Sequence, residues 1–131
     1  AFGPDSRAEQ GQTPAHNDKV AVLRGTGASS GRATGPARVV RGPDDFAAVR
    51  PGDVLVCRET DPAWTPLFGV VAAVVTETGG LLSHAAIVAR ELRLPAVLGV
   101  PGATDALRGA GTLVVDGEAG TVVATGVATP R

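Results

Sequence analysis

Short apolar runs separated by glycine and proline dominate the chain from Val20 onward, which is the pattern of β-strands joined by tight turns. The run Val70–Thr76 is continuously apolar, as in a strand that is buried on both faces. The glycine-rich segment 25–35 is predicted to join the first two strands. The predicted strands are Val20–Leu23, Ala37–Arg41, Val54–Cys57, Val70–Thr76, Ala96–Val100, Thr112–Val115 and Thr121–Ala124.

One helix is well marked in the sequence. Ser83 is a good N-cap residue, and apolar residues follow it near helical spacing, so we predict a helix from about His84 to Leu92 that is ended by Pro95. Shorter helical turns are predicted at 43–49 and 104–107. Many strands with one clear helix and two minor ones predict an α/β domain built in layers, and not a doubly wound sheet.

The length and composition fit one domain with a moderate core. The chain has 131 residues, of which 44% are apolar and only 3% aromatic, so Val, Ala and Leu must form that core. The polar residues 1–19, which include Gly and Pro, are expected to be a flexible linker or chain end. Residues 20–126 are expected to form the folded domain, and residues 127–131 a tail. The chain contains no methionine, which favours a piece of a longer protein.

Charge and cysteine content argue against several classes of function. The net charge is −1 without a cluster of Lys or Arg, so neither nucleic acid nor a membrane is expected as a partner. No apolar stretch reaches the ~18 residues of a membrane span, and no secretory signal is present, so the expected setting is soluble and cytoplasmic. Cys57 is the only cysteine, which excludes an intramolecular disulfide, and we interpret it as a buried hydrophobe.

Reactive chemistry is concentrated where a predicted strand ends at Thr76 and the predicted helix begins at His84. Between them, Gly79 and Gly80 let the backbone turn sharply and let an anion approach the main chain. The first turn of a helix favours phosphate through its unpaired N–H groups and its partial positive charge. The same field disfavours an imidazolium ion, so His84 is expected to be a neutral nucleophile.

Other interpretations of this segment stay open on the residues alone. A histidine at a helix start is most often a capping or core residue. A metal site is disfavoured because no second His or Cys lies at ligand spacing. A serine hydrolase is disfavoured because Ser83 and His84 are adjacent in sequence, and because the chain has no Gly-x-Ser-x-Gly motif.

The segment TETGGLLSHAAIVARELRLPAVLGV, residues 76–100, resembles the signature of the mobile, swivelling phosphohistidine domain of phosphoenolpyruvate-utilising enzymes. That family includes phosphoenolpyruvate synthase, pyruvate phosphate dikinase, enzyme I of the sugar phosphotransferase system and rifampin phosphotransferase. GASSGRATGPARVV, residues 27–40, resembles the glycine-rich beginning of the same domain, and residues 116–121 resemble its closing hairpin. The resemblance covers residues 20–126 and implies a layered β/β/α swivelling domain.

The resemblance also implies roles for individual residues. His84 would be the phosphorylated histidine, through Nε2. Arg90 matches the arginine of the motif, where it would orient the domain or a phosphate, or have a structural role. One position departs from the family: dikinases and enzyme I usually carry Thr two residues before the histidine, and this chain has Leu82, so Ser83 is the hydroxyl expected to replace it. The residues that would shape the loop and helix start are Thr76, Gly79, Gly80 and Ser83.

The segment TDPAWTPLF, Thr60–Phe68, has two prolines and most of the aromatic mass of the chain, so we predict a structured loop or broken turn. It is similar to the Asp-Pro-x-Trp-x-Pro segment of phosphoenolpyruvate synthases and, more closely, to the corresponding segment of rifampin phosphotransferases. Trp64 and Phe68 are interpreted as packing anchors beside the histidine. The segment is thus interpreted as an indicator of the branch of the family, without a direct part in the reaction of the histidine.

By this resemblance the chain is the phosphoryl-carrier domain of an ATP-dependent, dikinase-type phosphotransferase. His84 would take the β-phosphoryl group of ATP and pass it to an acceptor, either pyruvate or a hydroxyl of an antibiotic such as rifampin. ATP and Mg²⁺ would be bound by other domains, and no cofactor or metal by this one. The expected partners are therefore an ATP-binding domain and an acceptor-substrate domain, on the same or a separate polypeptide.

Two alternatives to this function are kept. The first is a phosphoenolpyruvate-dependent carrier like enzyme I, which Leu82 makes the less favoured reading. The second is a docking domain that transfers no phosphate, and the presence of His84, the two glycines and Ser83 argues against it.

Overall fold

The computed structural model describes residues 19–127, so the predicted linker and tail lie outside the described residues except for their inner ends, Lys19 and Val127, which belong to strands. The strands are β1 Lys19–Arg24, β2 Thr26–Ser29, β3 Arg32–Val39, β4 Val54–Cys57, β5 Ala73–Thr76, β6 Ala96–Leu98, β7 Thr112–Asp116 and β8 Thr121–Val127. The α-helices are α1 Thr65–Phe68, α2 His84–Leu92 and α3 Ala103–Ala106, and short 3₁₀ helices cover Pro43–Ala48 and Pro62–Trp64.

Strand β3 joins the two halves of one eight-stranded sheet, whose order is β1-β8-β7-β3-β4-β5-β6-β2. The first half of β3 pairs antiparallel with β7, and Ala37–Val39 pairs parallel with β4. Strands β4, β5 and β6 are parallel, whereas the β1–β8–β7 half and the edge strand β2 pair antiparallel. This mixed sheet confirms the predicted α/β class.

Alternate residues of the central strands face two different cores. Val54 and Val56 of β4 pack in one cluster with Leu113 of β7, so the two halves of the sheet lie face to face. Leu55 and Cys57 belong to the other cluster, which contains the buried face of α2. The molecule therefore has three layers, two of sheet and one of helix, as the β/β/α prediction requires.

The glycine-rich segment 25–35 is not the connection that the sequence predicted, because it forms β2 and the first half of β3. The turn between β7 and β8 lies directly on this segment: a Cβ atom on Gly27 would collide with the carbonyl oxygen of Gly117. The backbone N–H of Gly25 donates to the carbonyl oxygen of Gly120 at 2.9 Å. The glycines of this segment allow close contact between backbones, although the composition of the segment is that of a flexible turn.

The apolar run at 70–76 is a strand only from Ala73 onward. The backbone amides of Val70 and Val71 both donate to the carbonyl oxygen of Leu67, at 3.0 and 3.1 Å, and so continue the turn that ends α1. The predicted strand was therefore too long at its beginning, while its end at Thr76 is confirmed.

Candidate active site

His84 begins α2 just beyond the carboxyl end of β5, and the helix covers His84–Leu92 as predicted. Ser83 is the N-cap, and its Oγ accepts a hydrogen bond from the backbone N–H of Ala86 at 3.4 Å. The same hydroxyl donates to the carbonyl oxygen of Gly80 at 2.8 Å. The buried residues of α2 are all alanines, which bring the helix close to the sheet and fix the position of its first turn.

Gly79 and Gly80, which precede His84, contribute to the loop in different ways. Gly79 has a φ angle of +102°, in the region that favours glycine, and a Cβ atom there would lie 3.1 Å from Oγ of Ser83. A Cβ atom on Gly80 would meet nothing within 4 Å. Gly80 contributes its carbonyl oxygen, which accepts from the backbone N–H of Ser83 at 3.0 Å as well as from the Ser83 hydroxyl.

Thr76 fixes the beginning of the same loop from inside the core. Its side chain is fully buried, and its Oγ1 donates to the carbonyl oxygen of Thr78 at 2.6 Å. Its own carbonyl oxygen accepts from the backbone N–H of Val100 at 3.0 Å. Thr76 therefore holds the loop in place through main-chain partners and not through the histidine ring.

The half-buried ring of His84 has a threonine hydroxyl at each nitrogen. Oγ1 of Thr60 lies 2.8 Å from Nδ1, and Oγ1 of Thr65 lies 3.3 Å from Nε2. The ring of Phe68 meets the imidazole at an interplanar angle of 89° with 5.8 Å between centroids. Because Thr65 is exposed and Thr60 only half-buried, the Nε2 edge of the ring is the one that faces solvent.

Both threonines belong to the Thr60–Phe68 segment, which is structured as predicted. Oδ1 of Asp61 accepts from the backbone N–H of Ala63 at 2.8 Å and so caps the first 3₁₀ turn of the segment. Trp64 is buried and meets the ring of Phe46 edge-on, with 5.0 Å between centroids. Trp64 is thus a packing anchor, and it fixes the position of the neighbouring Thr65.

The interpretation of this segment as a packing feature alone was incomplete, because sequence reasoning missed Thr60 and Thr65. The available signal was a hydroxyl residue on either side of Asp-Pro-Ala-Trp. That pattern does not tell which residue lies opposite, since the contact with His84 spans 24 residues for Thr60 and 19 for Thr65.

A small cleft of about 100 Å³ lies between the loop that precedes α2 and the segment that contains Thr60. Four of its lining residues carry hydroxyl groups, so it suits a polar group. The carboxylate of Glu59 also lines it and disfavours an anion in the cleft itself. The lining residues are Glu59, Thr60, Thr76, Thr78, Gly79, Ser83 and Ala85.

Arg90 lies two turns along α2 from His84, where its guanidinium Nη2 donates to the carbonyl oxygen of Leu81. The contact ties the loop before the helix to the helix itself, which favours the structural role among those left open for Arg90. Leu82, the residue that departs from the family pattern, is 86% exposed, and the neighbouring Leu81 is 54% exposed.

Two titratable groups near the loop have shifted pKa values. Oε2 of Glu77 accepts from the hydroxyl and the backbone N–H of Thr104, at 2.5 and 2.8 Å, and these bonds lower the pKa of Glu77 from its ordinary 4.5. The positive charges of Arg58 and Arg41 act in the same direction. Burial, with smaller contributions from nearby glutamates, raises the pKa of Cys57 to about 12, so its sulfur is a neutral thiol.

Within residues 19–127, no three or more His, Cys, Asp and Glu side chains lie close enough together to hold a metal ion. In that same part of the chain, no helix has the length and apolar character needed to cross a bilayer.

Residues 49–120 match the family model described as the mobile domain of PEP-utilising enzymes. The chain belongs to this family. The match runs from before β4 to the β7–β8 turn and includes the loop and helix that carry His84. The resemblance stated from the sequence is thereby confirmed, and the mobile domain accounts for the three layers described above.

Curated relatives of this mobile domain include two phosphotransferases and a phosphoenolpyruvate synthase. The chain is 52% identical over 98 residues to YvkC, a phosphotransferase of Bacillus subtilis. The aligned residues cover 75% of this chain and 12% of YvkC. It is 44% identical to the phosphoenolpyruvate synthase of Aeropyrum pernix, over 82% of this chain and 13% of that protein. It is 40% identical to the rifampicin phosphotransferase of Bacillus cereus, over 88% of this chain and 13% of that protein. The chain thus spans about an eighth of the length of these relatives.

Among solved structures, the solution structure of enzyme I is similar to the mobile domain, with a TM-score of 0.52 and 32% identity. The similar part covers 61% of this chain and 33% of the enzyme I chain. This likeness supports the layered α/β fold derived from the sheet and its helix.

Proposed function

We propose that His84 is a phosphohistidine and that the mobile domain carries a phosphoryl group from a donor site to an acceptor site. The observation that carries this proposal is the hydrogen bond of 2.8 Å between Nδ1 of His84 and Oγ1 of Thr60. In a neutral imidazole one nitrogen carries the proton and the other a lone pair. With the proton on Nδ1 and shared with Thr60, the lone pair lies on Nε2 at the exposed edge of the ring.

The surroundings of His84 support its use as a nucleophile. The ring plane is fixed by Thr60 and by Phe68, so Nε2 is held in one direction and little conformational freedom is lost in the reaction. The first turn of a nine-residue helix stabilises the negative charge that a phosphoryl group brings. During transfer the Nε2–P bond forms while the bond from phosphorus to the leaving oxygen breaks.

The donor that we propose is ATP, from which His84 takes the β-phosphoryl group, and the acceptor is pyruvate or an antibiotic hydroxyl. The similarity to a phosphoenolpyruvate synthase and to a rifampicin phosphotransferase supports this pair of acceptors. Because the chain spans about an eighth of such relatives, ATP, Mg²⁺ and the acceptor would be bound by other domains. A mobile domain of this kind works by effective concentration, since it travels on a tether between fixed sites.

A phosphoenolpyruvate-dependent carrier is the second candidate, and its support is the likeness to enzyme I. The two candidates share His84 as the phosphorylated residue. They differ in the compound that charges it, so the phosphoryl donor is the property to measure.

The test combines the chain with an ATP-binding unit, on the same polypeptide or supplied separately, and adds Mg²⁺ and ATP labelled at the β-phosphorus. Wild type is compared with His84→Ala and with His16→Ala, because these are the two histidines of the chain. We expect wild type and His16→Ala to keep a label that resists alkali and is lost in acid, and His84→Ala to keep none.

The other labelling results would each contradict the role of His84 or the choice of ATP as donor. Equal labelling of wild type and His84→Ala would refute the role of His84. Labelling by phosphoenolpyruvate but not by ATP would establish the enzyme I type of carrier. Absence of label from either donor, with the activity of the complete protein unchanged in His84→Ala, would leave the docking domain as the function.

A further inference from the structure

We propose that a second cleft, between the end of β2 and the last turns of α2, binds the phosphate group of a small phosphomonoester. This β2–α2 cleft has a volume of about 420 Å³, within the range of small-molecule sites. It shares no lining residue with the cleft near Thr60, so it is separate from the candidate active site. The proposal does not depend on phosphorylation of His84. The lining residues are Ala28, Ser29, Ser30, Arg90 and Arg93.

Ser29 brings a buried hydroxyl to the β2–α2 cleft. The residue is only 6% exposed, yet within residues 19–127 its hydroxyl has no hydrogen-bond partner. Buried polar groups in proteins nearly always have a partner, and an exception indicates that a bound group supplies it. The backbone of Ser29 is fixed by pairing with Ala96 of β6. The hydroxyl is therefore held at the cleft with one donor available for an anion.

Arg90 and Arg93 make the β2–α2 cleft positive. Neither guanidinium forms an ion pair with a carboxylate in the described part of the chain. Glu91 lies between them in sequence but does not line the cleft. The two positive charges outweigh the partial negative charge of about half a unit at the carboxyl end of α2. Because the planar guanidinium matches the oxygens of a phosphate, these arginines and the Ser29 hydroxyl suit that group.

Arg90 is already held in place before any ligand arrives. Its Nη2 donates to the carbonyl oxygen of Leu81, in the loop before α2. A guanidinium has five N–H donors, so this bond leaves the others available to the cleft. A side chain that is fixed beforehand loses less freedom when a ligand binds, which increases the affinity.

Arg93 occupies a backbone conformation that favours glycine. Its φ and ψ angles are 58° and 39°, and among residues 19–127 no other residue except glycine has a positive φ. Helices commonly end with glycine in this left-handed conformation, because a Cβ atom makes it less favourable. A use of the Arg93 side chain in binding accounts for arginine at this position. It also permits a variant that removes the side chain without weakening the fold.

The test titrates the 131-residue chain with phenyl phosphate and follows the backbone amides by ¹⁵N–¹H NMR. Arg93→Gly removes the guanidinium, and relief of the left-handed backbone offsets the flexibility that glycine adds to the unfolded chain. Ser29→Ala removes a hydroxyl without a partner, so the fold should keep its stability. Two variants serve as controls. Arg108→Gln removes an equal charge outside the cleft, and His84→Ala removes the candidate nucleophile.

We expect saturable shifts at the amides of residues 28–30 and 90–92, with equal affinity in wild type, Arg108→Gln and His84→Ala. The affinity should fall about tenfold in Arg93→Gly and about fivefold in Ser29→Ala, since each variant loses a hydrogen bond to a charged group. Inorganic phosphate should bind more weakly than phenyl phosphate, because it leaves the rest of the cleft unfilled.

Several results would overturn the proposal. They include the absence of saturable shifts at these amides, an Arg93→Gly affinity equal to that of wild type, and loss of the shifts in His84→Ala. Equal affinity for inorganic phosphate would overturn it in favour of the free ion, and tighter binding of hexaglutamate in favour of an acidic protein segment. None of these measurements involves phosphorylation of His84, so this proposal and the proposed function can fail separately.

Discussion

Replacing Thr76 by valine tests whether a buried hydroxyl, and not a contact with the histidine, organises the loop before His84. Valine has the shape of threonine and fills the same space in the core, where Thr76 is fully buried. It lacks the hydroxyl that donates to the carbonyl oxygen of Thr78 at 2.6 Å. The substitution therefore removes one hydrogen bond and leaves the packing unchanged.

The magnitude follows from the position of the two partners. A hydrogen bond inside a protein contributes about 1 kcal/mol net, and an acceptor left unpaired in the interior costs about 1–3 kcal/mol. Thr78 is exposed, so water can reach its carbonyl oxygen and the lower figure applies. We expect Thr76→Val to lower the free energy of unfolding by about 1 kcal/mol, which is about a fivefold increase in local opening of the loop.

The matched control is Thr76→Ser, which keeps the hydroxyl and loses a buried methyl group worth about 0.8 kcal/mol. Both variants should lose similar stability in urea unfolding. Amide hydrogen exchange distinguishes the two variants, with the amides of β4 as the internal reference. Exchange at residues 79–83 should be about fivefold faster than in wild type for Thr76→Val, and close to wild type for Thr76→Ser. Equal exchange of the loop in the two variants would refute the role given to the hydroxyl.

Two further predictions concern the shifted pKa values. Because the folded pKa of Glu77 lies below its ordinary 4.5, its stabilising contribution is complete above that value and is lost as the pH falls through the folded pKa. Glu77→Gln should therefore be less stable than wild type at pH 7 and approach it in acid, as measured by urea unfolding over a pH series; a constant difference would contradict this. Burial raises the pKa of Cys57 to about 12 from an ordinary 9.0. The contribution of this thiol to the stability of the fold is therefore present below pH 9 and lost as the pH rises toward 12. A thiol reagent at pH 8 should modify Cys57 rapidly only in urea, and rapid reaction of the native chain would show the burial to be wrong.

The helix and the chemistry of its first turn could be predicted because their signals are local. An N-cap serine, apolar residues at helical spacing and a following proline mark α2 within about a dozen residues. The signals for strands β4 and β7 are local in the same sense, because a short apolar run is enough to indicate each strand. Helix α2 carries His84, and the predicted bounds of all three elements agree with the structure to within one residue.

What could not be predicted depends on contacts between distant segments. The glycines of 25–35 look like turn residues until the β7–β8 turn is placed on them, about 90 residues later, where a Cβ atom on Gly27 would collide with Gly117. Thr60 and Thr65 lie in a segment whose prolines and aromatic residues indicate packing. Nothing in the segment itself shows that its two hydroxyls lie on either side of the same imidazole.

The hydroxyl of Ser83, expected to replace the one that is missing at Leu82, bonds to main-chain atoms. Its Oγ accepts from Ala86 and donates to Gly80, so it supports the helix start. The hydroxyls that reach the ring of His84 come from Thr60 and Thr65, on the far side of the site. Leu82 itself is 86% exposed, so its side chain takes little part in the packing around the ring.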